Sequence, residues 1–499
     1  MPEGLLRHFG QIFIPRRHCP YSHDEGIGRI IMSQSTKLEF HIGKIGGMVP
    51  LLTMVGLMLL LTFNGVGGPK AAWAPGFIAI ILGMFLVKSK RDYFQSILDG
   101  IADKTGVVVI TAWIFAAVLG SLMKAGGLVD GILWFGMSTG IQGSMFLIIV
   151  FMSTAIFAMG TGSSNGANLA LAPILFPAGV YLGADPAFVA LALLSGAVFG
   201  DNVAPISDTT IVGCTTQGAD FGATVRQRMP LSLTAGAIAL VALVVFGQGD
   251  GLVEAATQNG DSARPESLLM LLSVAAVVFF ALKGRHLLEA LSYGILVATV
   301  VGLGIGAFAV SDLFTVPSER GVSNGIIEDA IAGVTGAVVF VILILGVIKI
   351  FMNSGIMDDI LAFITERVSS STRSTELLMF FSTSVSSLLV SSNAPSQLLV
   401  GPTLVKPLGE KNNITPERRA NLMSASVCSI FYMMPWCLAV MVWYSAVETS
   451  AISSGLAVPS ASISFMAPYP WALLGVMMFS IITGWKRYGN QAQAQVQPA

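Results

Sequence analysis

Apolar residues run through this chain in stretches long enough to cross a bilayer, about 17–25 residues each. They fall at 46–64, 73–88, 106–123, 187–217, 230–247, 266–282, 288–309, 334–352, 420–448 and 466–485. Two of them, 187–217 and 420–448, are long and interrupted. Two further apolar segments, 143–182 and 375–405, carry polar, Gly- or Pro-containing centres. Their length suits a segment that enters the membrane, turns and leaves on the same side. The pattern predicts an all-α polytopic membrane protein of about ten spans with two re-entrant hairpins.

Charge orients these spans. With a cytoplasmic N-terminus and both hairpins re-entrant, cytoplasmic segments collect 22 of the 27 Lys and Arg residues, among them Lys88, Lys90, Arg91, Arg226, Arg228, Arg418, Arg419, Lys486 and Arg487. The outer side receives Lys70, Lys124, Arg264 and Arg320, and Lys349 lies near the cytoplasmic end of its helix. That is the positive-inside pattern. Making either hairpin a single span would invert every later helix and spoil it. Both termini are therefore expected in the cytoplasm.

The two halves repeat. Lys124–Leu133 matches Met352–Leu361, and Ser163-Ser164-Asn165 matches Ser391-Ser392-Asn393, both at an offset of 228. Pro186 and Pro205 match Pro416 and Pro435 at 230. Each half holds five spans and one hairpin, and five is odd, so the second copy is expected upside down. The organisation is a cytoplasmic segment 1–45, a first repeat 46–247, an outer loop 248–265, a second inverted repeat 266–485 and a cytoplasmic tail 486–499. Residues 1–31 carry Arg7, Arg16, Arg17, Asp24 and Glu25 without the apolar core of a signal peptide. Met32 is the expected initiator.

Composition excludes several classes. The 499 residues are 54% hydrophobic and 11% charged, with mean hydropathy +0.76; soluble domains carry about 25% charged residues. A net charge of −1 leaves no basic excess for nucleic acid. Cys19, Cys214, Cys428 and Cys437 are scattered, without the spacing of a disulfide framework or zinc site. No other cofactor is implied, and no motif points to an enzyme: there is no H-E-x-x-H and no histidine inside a predicted span.

Chemistry concentrates at three places. Gly200-Asp201-Asn202-Val203-Ala204-Pro205-Ile206-Ser207-Asp208-Thr209-Thr210 breaks a span with two carboxylates, and charge in hydrocarbon persists mainly for function. The first hairpin tip contains Ser163, Ser164, Asn165 and Gly166; the second contains Ser391, Ser392, Asn393, Ala394, Pro395 and Ser396. Oxygen-rich tips with freed carbonyls suit a hard cation such as Na⁺, and the half-helix N-termini beyond them suit an anion. Plain helix capping is the simpler role for such residues. Asp201 and Asp208 are the expected Na⁺ and proton carboxylates, with Asn202, Ser207, Thr209, Thr210, Ser164, Asn165 and Gly166 completing the shell. Burial and a bound cation push a carboxylate's ionisation in opposite directions, so H⁺ and Na⁺ can compete for one group. The matching break in the second half, Tyr432–Cys437, has no carboxylate. There Tyr432 and Trp436 could stack on an organic substrate or simply pack.

The run Ser195–Thr210, together with the Gly160–Gly166 tip, resembles the signature of the NhaC family of Na⁺/H⁺ antiporters, within a wider ion-transporter superfamily. The resemblance covers residues 45–485. It departs at Asn202, where the family pattern often has Lys, which removes a fixed positive charge beside Asp201. The resemblance implies a secondary transporter of a bacterial inner membrane with Na⁺ and H⁺ as ions, and it leaves a homodimer open. A Na⁺-coupled carrier of an organic anion or amino acid is the alternative, its substrate held between Ser392, Asn393, Ala394 and Pro395 and the first tip.

Overall fold

The computed structural model describes residues 37–64, 66, 69–102, 104–205, 207–249, 265–283, 285–314, 325–357, 359–360 and 371–487. The extension before Met32, most of the 248–265 loop and most of the C-terminal tail lie outside the described residues. The chain divides into Met1–Lys37, of which Lys37 alone is described, and Leu38–Ala499.

The second unit is built of helices, with two isolated β-bridges among the described residues. The principal helices are α1 (Met48–Phe63), α2 (Trp73–Leu86), α3 (Lys90–Ile101), α4 (Lys104–Ala125), α5 (Leu128–Thr139), α6 (Phe146–Thr161), α7 (Ser164–Tyr181), α8 (Pro186–Val203), α9 (Asp208–Gln217) and α10 (Phe221–Phe246). There follow α11 (Leu271–Leu282), α12 (Leu287–Gly304), α13 (Ile326–Asn353), α14 (Thr372–Val390), α15 (Asn393–Val400), α16 (Lys406–Lys411), α17 (Pro416–Val427), α18 (Ile430–Met433), α19 (Leu438–Ser453) and α20 (Pro468–Thr483). Each of the ten apolar stretches coincides with helix. Among the described residues six helices are long and apolar enough to cross a membrane alone, five of them on these stretches, and α17–α19 forms a further pair bent by 47°. One of the six, Gly143–Thr161, is the first arm of a hairpin. Helix α3 is an addition: its amphipathic sequence is capped by Ser89, and Gly100 lets it lie against the Leu345 carbonyl of α13.

The first apolar segment with a polar centre folds as an expected hairpin. Gly162 takes a positive φ of 66°, and Ser163 then caps α7 by accepting the Gly166 N–H at 3.1 Å. Its far ends are joined, the Gly143 N–H donating to the Leu182 carbonyl at 2.7 Å. At 1.5 Å per residue the arms reach about 24 and 27 Å, so the hairpin is deep rather than a shallow loop. Pro173 and Pro177 sit inside α7 without breaking it. The second hairpin is longer than 375–405: α14 runs back to Thr372, and α15 continues through a π-turn at Gly401–Val405 into α16.

Both interrupted helices start alike. Asp185 and Thr415 are N-caps followed by Pro at the first helical position, where a missing N–H costs nothing. Both then break, at Ala204–Ser207 and at Met434–Cys437. The second break is narrower than the expected Tyr432–Cys437, because Tyr432 and Met433 complete a short helical turn; a second irregularity at Cys428–Ser429 precedes it. The α8–α9 stretch is well covered by protein, with 89% of the apolar part of Pro186–Gln217 buried against 28% for Lys44–Leu61. Helix α8 reaches α6 through Gly196 and Gly200, where a Cβ would stand 2.3 Å from the Phe151 carbonyl and 2.2 Å from that of Ala155. Small residues four apart permit such backbone approach. The Trp443 indole on α19 donates to the Ala190 carbonyl at 2.8 Å and locks the two interrupted helices together.

Candidate ion-binding site

The break between α8 and α9 is held by side chains. Helix α8 leaves the helical path at Ala204, and Ser207 caps α9 by accepting the Thr209 N–H at 3.3 Å. Neither Asp201 nor Asp208 serves as that cap. Two of the carbonyls at the break are already occupied: Thr210 Oγ1 donates to Ala204 at 3.0 Å, and Arg228 Nη1 donates to Asn202.

Asp201 is 5% exposed and accepts a 2.6 Å hydrogen bond from Ser207 Oγ. Ser207 Oγ and Thr209 Oγ1 are 2.9 Å apart. Asp208, the first residue of the second half-helix, is exposed. Both carboxylates line one cavity of about 80 Å³ together with Ser164, Asn165, Ser207, Thr209, Ser392, Asn393, Ala394, Pro395 and Tyr432. The hairpin tips meet there through Tyr432: its hydroxyl lies 2.6 Å from Ser164 Oγ and accepts from Asn393 Nδ2 at 3.1 Å. The second tip is anchored by Ser391, which holds φ at 49° while its Oγ accepts the Leu438 N–H at 3.0 Å. That left-handed conformation is uncommon for Ser, and the Leu438 bond fixes it. Four helices, α7, α9, α15 and α19, begin at this place.

Two buried acceptors at the tips stand out. Asn165 Oδ1 and Asn393 Oδ1 lack a hydrogen-bond partner among the described residues. A buried polar atom left unpaired costs roughly 1–3 kcal/mol. An amide oxygen on each tip, beside two carboxylates and the hydroxyls of Ser164, Ser207, Thr209, Ser392 and Tyr432, is a donor set of the kind a hard cation takes. No cluster of three His, Cys, Asp or Glu side chains fit for a metal occurs among the described residues.

Four expected site residues stand elsewhere, the first being Thr210, which is absent from the cavity lining because its hydroxyl bonds the Ala204 carbonyl and Arg228. Asn202 is fully buried on the other side of α8, its amide donating to Ser232 Oγ at 3.0 Å and Tyr469 OH at 2.8 Å; one residue beyond Asp201 is a turn of about 100° round the helix. Gly166 gives its N–H to the Ser163 cap and does not line the cavity. Trp436 lines a separate cavity with Met58 and Met441, apart from Tyr432.

One residue was missed. Arg228, assigned by pattern to a cytoplasmic loop, is 2% exposed inside α10. Its guanidinium donates to Asn202 O, to Thr210 Oγ1 at 3.0 Å and to Asn421 Oδ1 at 2.9 Å. It stitches both sides of the break and restores a fixed positive charge behind Asp201, which Asn202 had seemed to remove. Position 228 lies two residues before the apolar run from Pro230, so only its closeness to a span hinted at this. Arg418 is also buried rather than in a loop, with Arg487 across Glu376.

Comparison with known proteins gives the family context. A model described as the Na⁺/H⁺ antiporter family matches residues 39–248, which include the first hairpin and the Asp201 break. The chain is 32% identical over 177 residues to the malate-2H⁺/Na⁺-lactate antiporter of Bacillus subtilis, a match covering 36% of this chain and 37% of that protein. It is 22% identical to the Na⁺/H⁺ antiporter NhaC of Alkalihalophilus pseudofirmus across 80% of this chain and 88% of that one. It is 23% identical to the arginine/ornithine antiporter ArcD of Halobacterium salinarum across 89% of this chain and 91% of that one.

Proposed function

We propose that this chain, whose residues 39–248 match the Na⁺/H⁺ antiporter family, is a transporter of that family and exchanges cytoplasmic Na⁺ for external protons by alternating access, in a bacterial inner membrane. The observation that carries the reading is the cavity of about 80 Å³ with two carboxylates and two unpartnered amide oxygens. Such a space holds an ion with a few waters.

Na⁺ sits between Asp201, Asp208, Ser164 and Asn165, with Ser207 and Thr209 as further oxygens. Asp201 is the exchange group, because it is buried and a proton displaces Na⁺ from one shared carboxylate. Asp208 meets the ion at the mouth. The two halves act as inverted repeats around this point, as transporters with midplane broken helices do, and the hairpin-bearing helices carry the site from one side to the other.

A second reading has its own support. Four helix N-termini face one place, and such ends favour an anion. The named substrates of two relatives, malate and lactate for one and arginine and ornithine for the other, are organic. In that reading an organic anion or amino acid occupies the space between the tips, coupled to Na⁺.

The test is acridine-orange fluorescence in everted vesicles from an antiporter-deficient strain. Na⁺-dependent dequenching that disappears in Asp201→Asn and Asp208→Asn is the expected result. Folded protein that gives no dequenching with Na⁺, Li⁺ or K⁺ refutes exchange and favours the organic cargo. Dequenching intact in both variants refutes the site.

A further inference from the structure

A second group of charges lies along the same pair of helices as the site. Helices α7 and α19 pack side by side, and each begins at the ion cavity, through Asn165 on one and Leu438 and Ala439 on the other. Farther along both helices comes a small pocket of about 50 Å³, bounded by Leu169 and Pro173 of α7, Ser445 of α19 and Trp113 of α4. Beyond it a cavity of about 590 Å³ opens where α4 ends, α13 begins and α19 ends. The two share Ser121, Lys124, Thr449 and Ser453.

The larger cavity holds three ionisable side chains: Lys124 of α4, Asp329 of α13 and Glu448 of α19. Among the described residues none of them is ion-paired. Unpaired charges on membrane helices that face a cavity mark ion pathways. The stretch between the small pocket and the site is short, about 6 Å along α7 from Asn165 to Leu169 and about 9 Å along α19 from Ala439 to Ser445. Asn168 falls within it. It is 1% exposed, and neither its oxygen nor its nitrogen has a partner among the described residues. Trp113 Nε1, 1% exposed, is likewise unpartnered beside the small pocket.

We propose that the α7–α19 seam is the outer access route to the ion cavity, with Glu448 the carboxylate at which a proton or Na⁺ pauses between the outer water and Asp201. It rests on the exchange reading above. The charge pattern along the chain puts this end outside. Glu448 draws cations in, and Lys124 across the cavity keeps the hold weak enough for release, as conduction requires. The charged and titratable groups around Glu448 are Lys124 from α4, Asp329 from α13 and Tyr444 on its own helix. The closed stretch at Asn168 is where the route shuts in this state, and its amide offers hydrogen bonds to the passing ion or water when it opens.

Single cysteines at Ser445, Glu448 and Thr449 test the path, in a background lacking native cysteines and reacted with a cationic, membrane-impermeant thiol reagent. Labelling from the outer side that stops exchange is expected at all three. Labelling only from the cytoplasmic side, or exchange unaffected by full modification, overturns the route. Glu448→Gln should slow exchange about tenfold and displace its pH profile, with Glu448→Asp restoring most of the rate; wild-type rate and profile in Glu448→Gln overturn the pausing role. These outcomes are separable from the site assignment: exchange that survives Asp201→Asn but is stopped by outer-side modification removes the Asp201 reading and leaves the route.

Discussion

Replacing Tyr432 by Phe deletes one oxygen and tests whether the two hairpin tips work as a unit. That hydroxyl touches Ser164 Oγ at 2.6 Å and Asn393 Nδ2 at 3.1 Å, and the side chain is 1% exposed. The ring fills the same space in the variant, so packing changes little. Two buried hydrogen bonds are lost, each worth about 1 kcal/mol net. Together they come to about 2 kcal/mol, or roughly a 30-fold change in the balance between joined and separated tips, given tenfold per 1.4 kcal/mol. If the joined tips present Ser164 and Asn165 to the ion, the half-saturating Na⁺ concentration should rise by about that factor, as an upper bound. The assay is Na⁺ titration of dequenching in vesicles with matched protein amounts. Ser164→Ala removes an ion oxygen as well as the Tyr432 contact and should also raise it, and the double variant should fall short of the product by about fivefold, a coupling of about 1 kcal/mol. Unchanged half-saturation in Tyr432→Phe, or rises that simply multiply, would refute the reasoning.

Three further outcomes concern the frame around the site. Gly200→Val forces a side chain against the Ala155 carbonyl and should cost about 3 kcal/mol or more, seen as a lower midpoint in detergent thermal unfolding; Gly475→Ala, with nothing within 4 Å of its Cβ, is the neutral control. Arg228→Gln strips bonds from Asn202 O, Thr210 and Asn421. It should lower both exchange rate and unfolding midpoint, with a loss of about 2–4 kcal/mol, and Arg228→Lys should recover only part because it lacks the planar fork. Glu376, fully buried between Arg418 and Arg487, should cost about 3–5 kcal/mol when changed to Gln. Arg487, 24% exposed at the edge of that cluster, should matter less, with Arg487→Ala at about 1–2 kcal/mol; equal midpoint shifts for the two would contradict the assigned burial.

The sequence alone determined the helical class, the positions of the apolar stretches and the places where the helices break. These are local properties: hydrocarbon demands long apolar runs, and Gly, Pro and capping Ser residues end helices wherever they occur. It also singled out Asp201, Asp208, Ser164, Asn165, Asn393 and Tyr432, because polar groups on such segments are few. Which of those candidates share a cavity was a tertiary matter. Asp201 and Asn202 are neighbours in the chain, yet one faces the tips and the other faces Tyr469, since a helix turns about 100° per residue. Arg228 read as a loop cation until α10 placed it behind the break, and Trp436 read as Tyr432's companion until the bend between α18 and α19 sent it to another cavity. Sequence spacing fixes position along a helix. The azimuth of a helix, and the partner that meets it there, come only from packing the whole bundle.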